Sequence, residues 1–443
     1  MRQAPLVIRG ACVMTMNQEL GDIRCGDVLI VGQNIAAVGS DLGAPGAETI
    51  DGRGMIVMPG LIDAHTHLWT SQMRGHFGST PETAYFKVRN RLGDAYCADD
   101  MYHGTRLGAT EAIWSGITTV VDFCHNLRGN DYVVACLRAL RDTGIRARFL
   151  FGASTRSMPG EAVDLAALET LHTEWQRVTG GAPLTLGLAW RGPHGITSLG
   201  AGDIASPVLS VAREEFAVAR HLSLPIAVHV SGHTARTTFE ALVENEFLAS
   251  DVQLVHFSNA SAADIALAAR TGTTLALTPL TELRVGYGIT QLRDYLDGGM
   301  RVGLGIDSNS LAGGANMFTV MKLFQLIENG RLGQELGIGA RRLLELATID
   351  GARSLGLDAE IGSVEAGKRA DLIIINPRAL NMGMLPRDPA HLLVEATQPA
   401  NVDTVIVDGR ILKRKGELAG VDPQEVMRAA ESSITGILHR AQA

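Results

Sequence analysis

At 443 residues the chain is about three times a typical domain of roughly 150 residues, with 46% hydrophobic and only 19% charged residues, which excludes a disordered or tail-like protein. Lys+Arg 39 against Asp+Glu 47 gives a formal charge of −8 with no basic stripe, so neither nucleic acid nor an anionic membrane is an expected partner. No apolar run approaches the roughly 18 residues of a membrane helix and no signal-peptide core follows Met1, so a cytoplasmic location is expected. The five cysteines, Cys12, Cys25, Cys97, Cys124 and Cys136, show no CxxC spacing and read as buried small apolar residues.

Residues 1–58 alternate short β-branched runs with turns, at Leu6 to Gly10, Gly26 to Gly39 and Met55 to Met58, the texture of a small sheet. From 59 to 358, runs rich in Val, Ile, Leu and Ala alternate with longer amphipathic stretches. Eight such runs are expected strands: Gly60 to Ala64, Thr118 to Phe123, Arg146 to Phe151, Leu184 to Ala189, Pro225 to His229, Val252 to His256, Thr274 to Thr278 and Arg301 to Ile306. Helical runs between them include Ala98 to Ser115, Tyr132 to Asp142, Val208 to His221 and Ala262 to Ala269. Eight βα units predict a (β/α)8 TIM barrel, an α/β fold. Strand texture returns over 359–420, at Ala370 to Asn376 and Asn401 to Arg410, so both chain ends are expected to build one small β-sandwich subdomain. A polar helical tail, Gln424 to His439 within 421–443, is expected on the surface.

His65-Thr66-His67 follows the first barrel strand, and alternation puts both imidazoles on one side of an extended backbone, where two nitrogens can meet one cation. His229 ends the fifth strand, His256 the sixth, and Asp307 follows the eighth. All lie at C-terminal strand ends, where the reactive groups of such barrels gather. His125, after the second strand, and Asn309, in Asp307-Ser308-Asn309, are candidate substrate contacts. The loop from Trp69 to Gly78 mixes aromatic, sulfur and amide groups, with Gln72 as a further candidate contact, and suits a flat substrate of modest size.

Met58-Pro59-Gly60-Leu61-Ile62-Asp63-Ala64-His65-Thr66-His67 resembles the opening signature of the amidohydrolase superfamily, and Gly362 to Leu372 resembles its exit into the β subdomain. Gly104 to Ile113 with Ser115 to Asp122 is similar to the branch holding cytosine and guanine deaminases and triazine hydrolases, including nitroimidazole hydrolase-like members. The resemblance spans residues 6 to 415. It implies His65, His67 and His229 as metal ligands, Asp307 as ligand and base, and His256 as hydrogen-bond donor to the attacking water or the substrate. It also implies His194, in Gly192-Pro193-His194, as a substrate-binding residue, and a homodimer or higher oligomer. A second metal in this superfamily needs a lysine from the fourth strand; the chain has none between Lys87 and Lys322, so one divalent ion is expected, Zn or Fe first, with Mn or Co as alternatives. Such an ion lowers the pKa of water towards 7, and Asp307 can then take its proton.

One position departs from the pattern. Deaminases of this branch carry a glutamate three residues after the fifth-strand histidine, and here His229-Val230-Ser231-Gly232-His233 has Gly232. Amide ion needs a proton to leave, whereas nitrite and chloride do not. The expected reaction is therefore hydrolytic displacement of nitrite, as from a nitroimidazole-like ring, or of chloride, from a small nitrogen heteroaromatic. A deaminase releasing ammonia is the alternative, with His233 or Glu282 as a relocated acid; Glu282 otherwise reads as a loop carboxylate facing solvent or Arg284. Hydrolysis of a cyclic amide comes third, and a metal-free scaffold last.

Overall fold

A computed structural model of the chain describes residues 4–154, 157, 161–193 and 209–442. The first strands are β1 (Leu6–Val13), β2 (Ile23–Val31), β3 (Asn34–Gly39), β4 (Glu48–Asp51) and β5 (Ile56–Pro59). The single run expected from Gly26 to Gly39 is a hairpin, because Gly32, with φ of 61°, turns the chain between β2 and β3. β4 escapes sequence reading: it has four residues and buries only Ile50.

Gly60 then carries the chain from β5 into the barrel. A Cβ there would lie 2.0 Å from Thr118 Oγ1, so only glycine fits. The barrel strands are β6 (Leu61–Thr66), β7 (Ile117–Cys124), β8 (Arg146–Gly152), β9 (Leu184–Trp190), β10 (Ile226–His229), β11 (Val252–Val255), β12 (Thr274–Leu277) and β13 (Arg301–Leu304). They pair in parallel in that order, and every expected strand is present with ends shifted by at most two residues. Their side chains are buried almost throughout, as a sheet covered on both faces requires. Helices wrap the outside, among them α1 (Tyr85–Asp94) and α2 (Ala98–Trp114); the C-terminal helix Pro423–Arg440 lies against α2 and buries Ile434 and Ile437. Among the described residues no helix is long and apolar enough to cross a membrane.

The chain leaves the barrel through β14 (Leu372–Ile375), which pairs antiparallel with β5, followed by β15 (Val402–Val407), β16 (Arg410–Arg414) and β17 (Glu417–Leu418). Both chain ends thus join one nine-stranded sheet with its own core, including Ile8, Val28, Ile30, Leu372, Ile374 and Ile406. All five cysteines are free. Cys12, Cys124 and Cys136 are buried as expected, but Cys25 and Cys97 are exposed. Cys25 stands near the edge of β2 and Cys97 precedes α2, so neither side chain has a core to enter.

The sheet is tied to the barrel by buried charge. Arg146 at the start of β8 bonds Asp371 at 2.7 Å and Asp408 at 3.0 Å, whose side chains are 2% and 8% exposed. Arg146→Ala should destabilise the fold by about 3–5 kcal/mol, because buried Asp371 loses its counter-charge and Asp408 keeps only Arg369, at 3.4 Å. Arg53→Ala, which breaks an exposed pair with Asp51, should shift nothing measurable. Urea unfolding midpoints of the two variants check the contrast.

Candidate active site

The first and last barrel strands meet through the residues that carry the chemistry. Asp307 N–H donates to His65 O at 2.8 Å, His67 N–H donates to Asp307 O at 3.1 Å, and Thr66 Oγ1 donates to the same carbonyl at 2.7 Å. Buried Asp63 adds its Oδ1, which accepts from Ile306 N–H at 2.9 Å and His65 N–H at 3.3 Å. Asp307 and His256 both hold left-handed backbone, with φ of 65° and 71°, a conformation that costs energy in non-glycine residues and concentrates at functional sites. At these two strand ends it accompanies a carboxylate and an imidazole that line the barrel mouth.

Four donor atoms converge there. His229 Nε2 is 3.2 Å from His65 Nε2, and Asp307 Oδ1 is 3.6 Å from His65 Nε2 and 3.3 Å from His67 Nε2. A cation held at ~2.1 Å from each donor needs donors roughly 3.0–3.4 Å apart; two of these separations meet that and the 3.6 Å one lies just beyond it, so a small inward shift of Asp307 brings the set onto one ion. The ligand atoms of His65, His67 and His229 all lie within 4.8 Å of one another. His67 Nδ1–H donates to Phe123 O at 2.7 Å, which leaves its Nε2 lone pair for a ligand. Loss of water on burial drives all three rings down, His229 well below its ordinary pKa and His67, with His65 beside it, to about 3. Neutral imidazoles are the form that binds metal. Burial opposes the charge of Asp307, yet the His65 hydrogen bond and the His67 and His256 rings hold its carboxyl below the usual carboxylate range.

A cavity of about 790 Å³, counted to its open mouth, stands over this cluster. His67, His125, His229, His256 and Asp307 line it, as the sequence leads one to expect. Glu282 does not. It is 2% exposed and lies behind His256, with Oε1 3.1 Å from His256 Nδ1 and 2.8 Å from Thr278 N–H, and with the Thr290 hydroxyl on its other oxygen. It is neither a free acid in the cavity nor a partner of Arg284, which donates to Leu311 O instead. Its place fixes the His256 ring and leaves Nε2 for the cavity.

His233 is exposed and borders a separate groove with Arg236 and Asp264, because the left-handed turn at Gly232 carries the following residue outward. Gln72 belongs to a buried 3-10 helix, Leu68–Met73, and donates to Asp100 O at 3.1 Å, so this loop packs against α2 and away from the cavity. Asn309 is buried away from the cavity lining, donating to Glu111 at 3.3 Å. His125 lines the cavity with both ring nitrogens engaged, Nδ1 on Phe123 O at 3.2 Å and Nε2 on Arg89 at 2.5 Å. His194 lies outside the described residues.

The wall expected from the first loop is supplied by α1, through Tyr85, Phe86 and Arg89. The signal was present: Tyr85 and Arg89 are four residues apart and share a helix face. Tyr287 was also missed. A Cβ at Gly232 would lie 3.0 Å from Tyr287 Cε1, so this ring occupies the place of a side chain at 232. Its phenol, pushed up to about 12 by burial, bonds the Ser231 side chain.

The family model described as Amidohydrolase family matches residues 56–412. A 5-methylthioadenosine/S-adenosylhomocysteine deaminase from Desulforudis audaxviator is 30% identical over 96% of this chain and 97% of its own length. A 5'-deoxyadenosine deaminase from Methanosarcina acetivorans is 26% identical, covering 99% and 100%. Among solved structures, an adenosine deaminase from Xanthomonas campestris with bound zinc superposes with a TM-score of 0.85 at 19% identity, covering 98% of this chain and 99% of that one. A likeness at that identity speaks for the fold.

Below a pH of about 6.5 the unfolded chain binds protons that the native His67 ring refuses down to about 3. Stability of the metal-stripped protein should therefore fall as pH drops through that window, by up to ~1.4 kcal/mol per pH unit for each such ring. His67→Asn should flatten the dependence, as urea midpoints at pH 7, 5.5 and 4.5 would show.

Proposed function

Because the chain belongs to the amidohydrolase family and is a hydrolase of carbon–nitrogen bonds, we propose that it is a mononuclear metal-dependent aminohydrolase releasing ammonia from an amino-substituted nitrogen heterocycle. The observation that carries this reading is the three-histidine, one-carboxylate cluster at the barrel mouth, in a chain alike over nearly its whole length to proteins named as deaminases. His65, His67, His229 and Asp307 would hold one divalent ion, zinc or iron first; β9 offers no lysine to bridge a second. When bound, the ion supplies Lewis acidity that lowers the pKa of water towards 7.

The chain's own residues do the rest. Asp307, kept ionised, accepts a proton from the attacking water as its oxygen bonds to the ring carbon. His256, fixed from behind by Glu282, offers Nε2 to the incoming oxygen. The protonated Asp307 then passes its proton to the amine as the carbon–nitrogen bond breaks. Tyr287 and Ser231 stand where other deaminases of the branch place their glutamate, and hydrogen-bond the ring edge.

Displacement of nitrite or chloride is the second reading, and one observation favours it: Tyr287 occupies the site of the missing carboxyl, and a phenol pushed up to about 12 is a weak proton donor for an amine. The zinc-loaded protein should be assayed against 5'-deoxyadenosine, aminotriazines, 2-nitroimidazole and chlorotriazines. Ammonia release, reduced at least ~10³-fold in Asp307→Asn, is the expected result. Nitrite or chloride release without ammonia would establish the second reading, and turnover unaffected by Asp307→Asn would remove both.

A further inference from the structure

The cavity holds more positive charge than its own side chains balance. Arg89 projects from α1 into the wall and is 4% exposed. Its Nη1 lies 2.5 Å from His125 Nε2, its Nε has no hydrogen-bond partner, and among the described residues it joins no ion pair. His125 supplies no counter-charge, because an imidazole is neutral or cationic and never an anion, and its Nδ1 is already engaged by Phe123 O. Arg191 lines the same cavity with an Nη1 that also lacks a hydrogen-bond partner, although Glu215 and Glu161 partly balance its charge. Asp307, the one lining carboxylate among the described residues, is turned towards His65 and His67.

A guanidinium keeps its charge at working pH, and a buried cation without an anion is costly. If Arg89 served only to hold His125, a neutral donor would do so without that cost. From this we infer that Arg89 receives a negatively charged substituent, a carboxylate on the heterocyclic ring, with Arg191 adding to the field. The ring, and not a distant tail, carries the charge: Arg89 touches His125, whose centroid is 4.4 Å from that of His67, so the cation lies about one ring's width from the candidate metal ligands. The bound carboxylate takes the donors His125 leaves free, and the reacting carbon faces Asp307. This inference names the substrate class of the site proposed above and rests on that reading for its location.

Binding, not turnover, tests it. Isonicotinate and isonicotinamide have nearly the same shape and differ in charge, and 4-nitropyridine offers two oxygens without net charge. Calorimetry on zinc-loaded protein should show isonicotinate binding at least ~10-fold tighter than either neutral probe, as charge-assisted hydrogen bonds predict. The preference should disappear in Arg89→Gln, persist in part in Arg89→Lys, and remain in metal-stripped protein. Equal binding of isonicotinate and isonicotinamide, 4-nitropyridine as tight as isonicotinate, a preference surviving Arg89→Gln, or one lost with the metal would each overturn the inference. The wild-type comparison needs no variant, so it decides even if Arg89→Gln fails to fold. An anion preference without any ammonia release would leave this inference standing and remove the aminohydrolase reading; ammonia release with no anion preference would do the reverse.

Discussion

Closure of the barrel between β6 and β13 is the constraint on which the site depends. The closing hydrogen bonds run through the backbone of His65, His67 and Asp307, so the contact that seals the sheet also sets three of the four converging donors. Asp63 reinforces the seam from beneath by binding both strands through one oxygen. Only His229 arrives from the opposite side, at the end of β10. Donor spacing is therefore set by a rigid sheet rather than by loops, which is where a metal centre gains precision.

Water exclusion does the electrostatic work around this seam. It keeps the three imidazoles neutral and open to a cation, while the His65 hydrogen bond and the His67 and His256 rings hold Asp307 ionised against the cost of its burial. The His256 ring is served differently, by a buried carboxylate whose remaining oxygen is capped by Thr290, so that the imidazole is aimed without a competing acid entering the cavity. Backbone strain at His256 and Asp307 belongs to the same arrangement, tolerated because strand pairing on both sides over-determines the conformation.

The site also differs from the branch pattern in a coherent way. Loss of a side chain at Gly232 is matched by Tyr287 filling the space, and the cavity wall from α1 brings an arginine against the histidine cluster. Removing a carboxylate and adding an unpaired cation both move the cavity towards positive charge. That direction suits a substrate, or a leaving group, that carries negative charge.

The eight barrel strands, the pairing of the chain ends and the His65, His67, His229 and Asp307 cluster were legible in the residues. Apolar periodicity and strand-end position are local properties, and barrel topology carries strand ends to one face whatever the loops do. Glu282, His233, Gln72 and Asn309, near that face in sequence, do not line the cavity: a left-handed turn carries His233 away and a packed 3-10 helix Gln72, while hydrogen bonds to His256 and Glu111 hold Glu282 and Asn309 outside it. Tyr287 was invisible and Arg89 showed only a shared helix face with Tyr85, for the opposite reason: they approach the centre across the fold, from the segment after β12 and from α1. The chain order thus determined which groups could bind a cation, and tertiary packing alone decided which groups surround it, because burial and side-chain direction depend on neighbours far away in sequence.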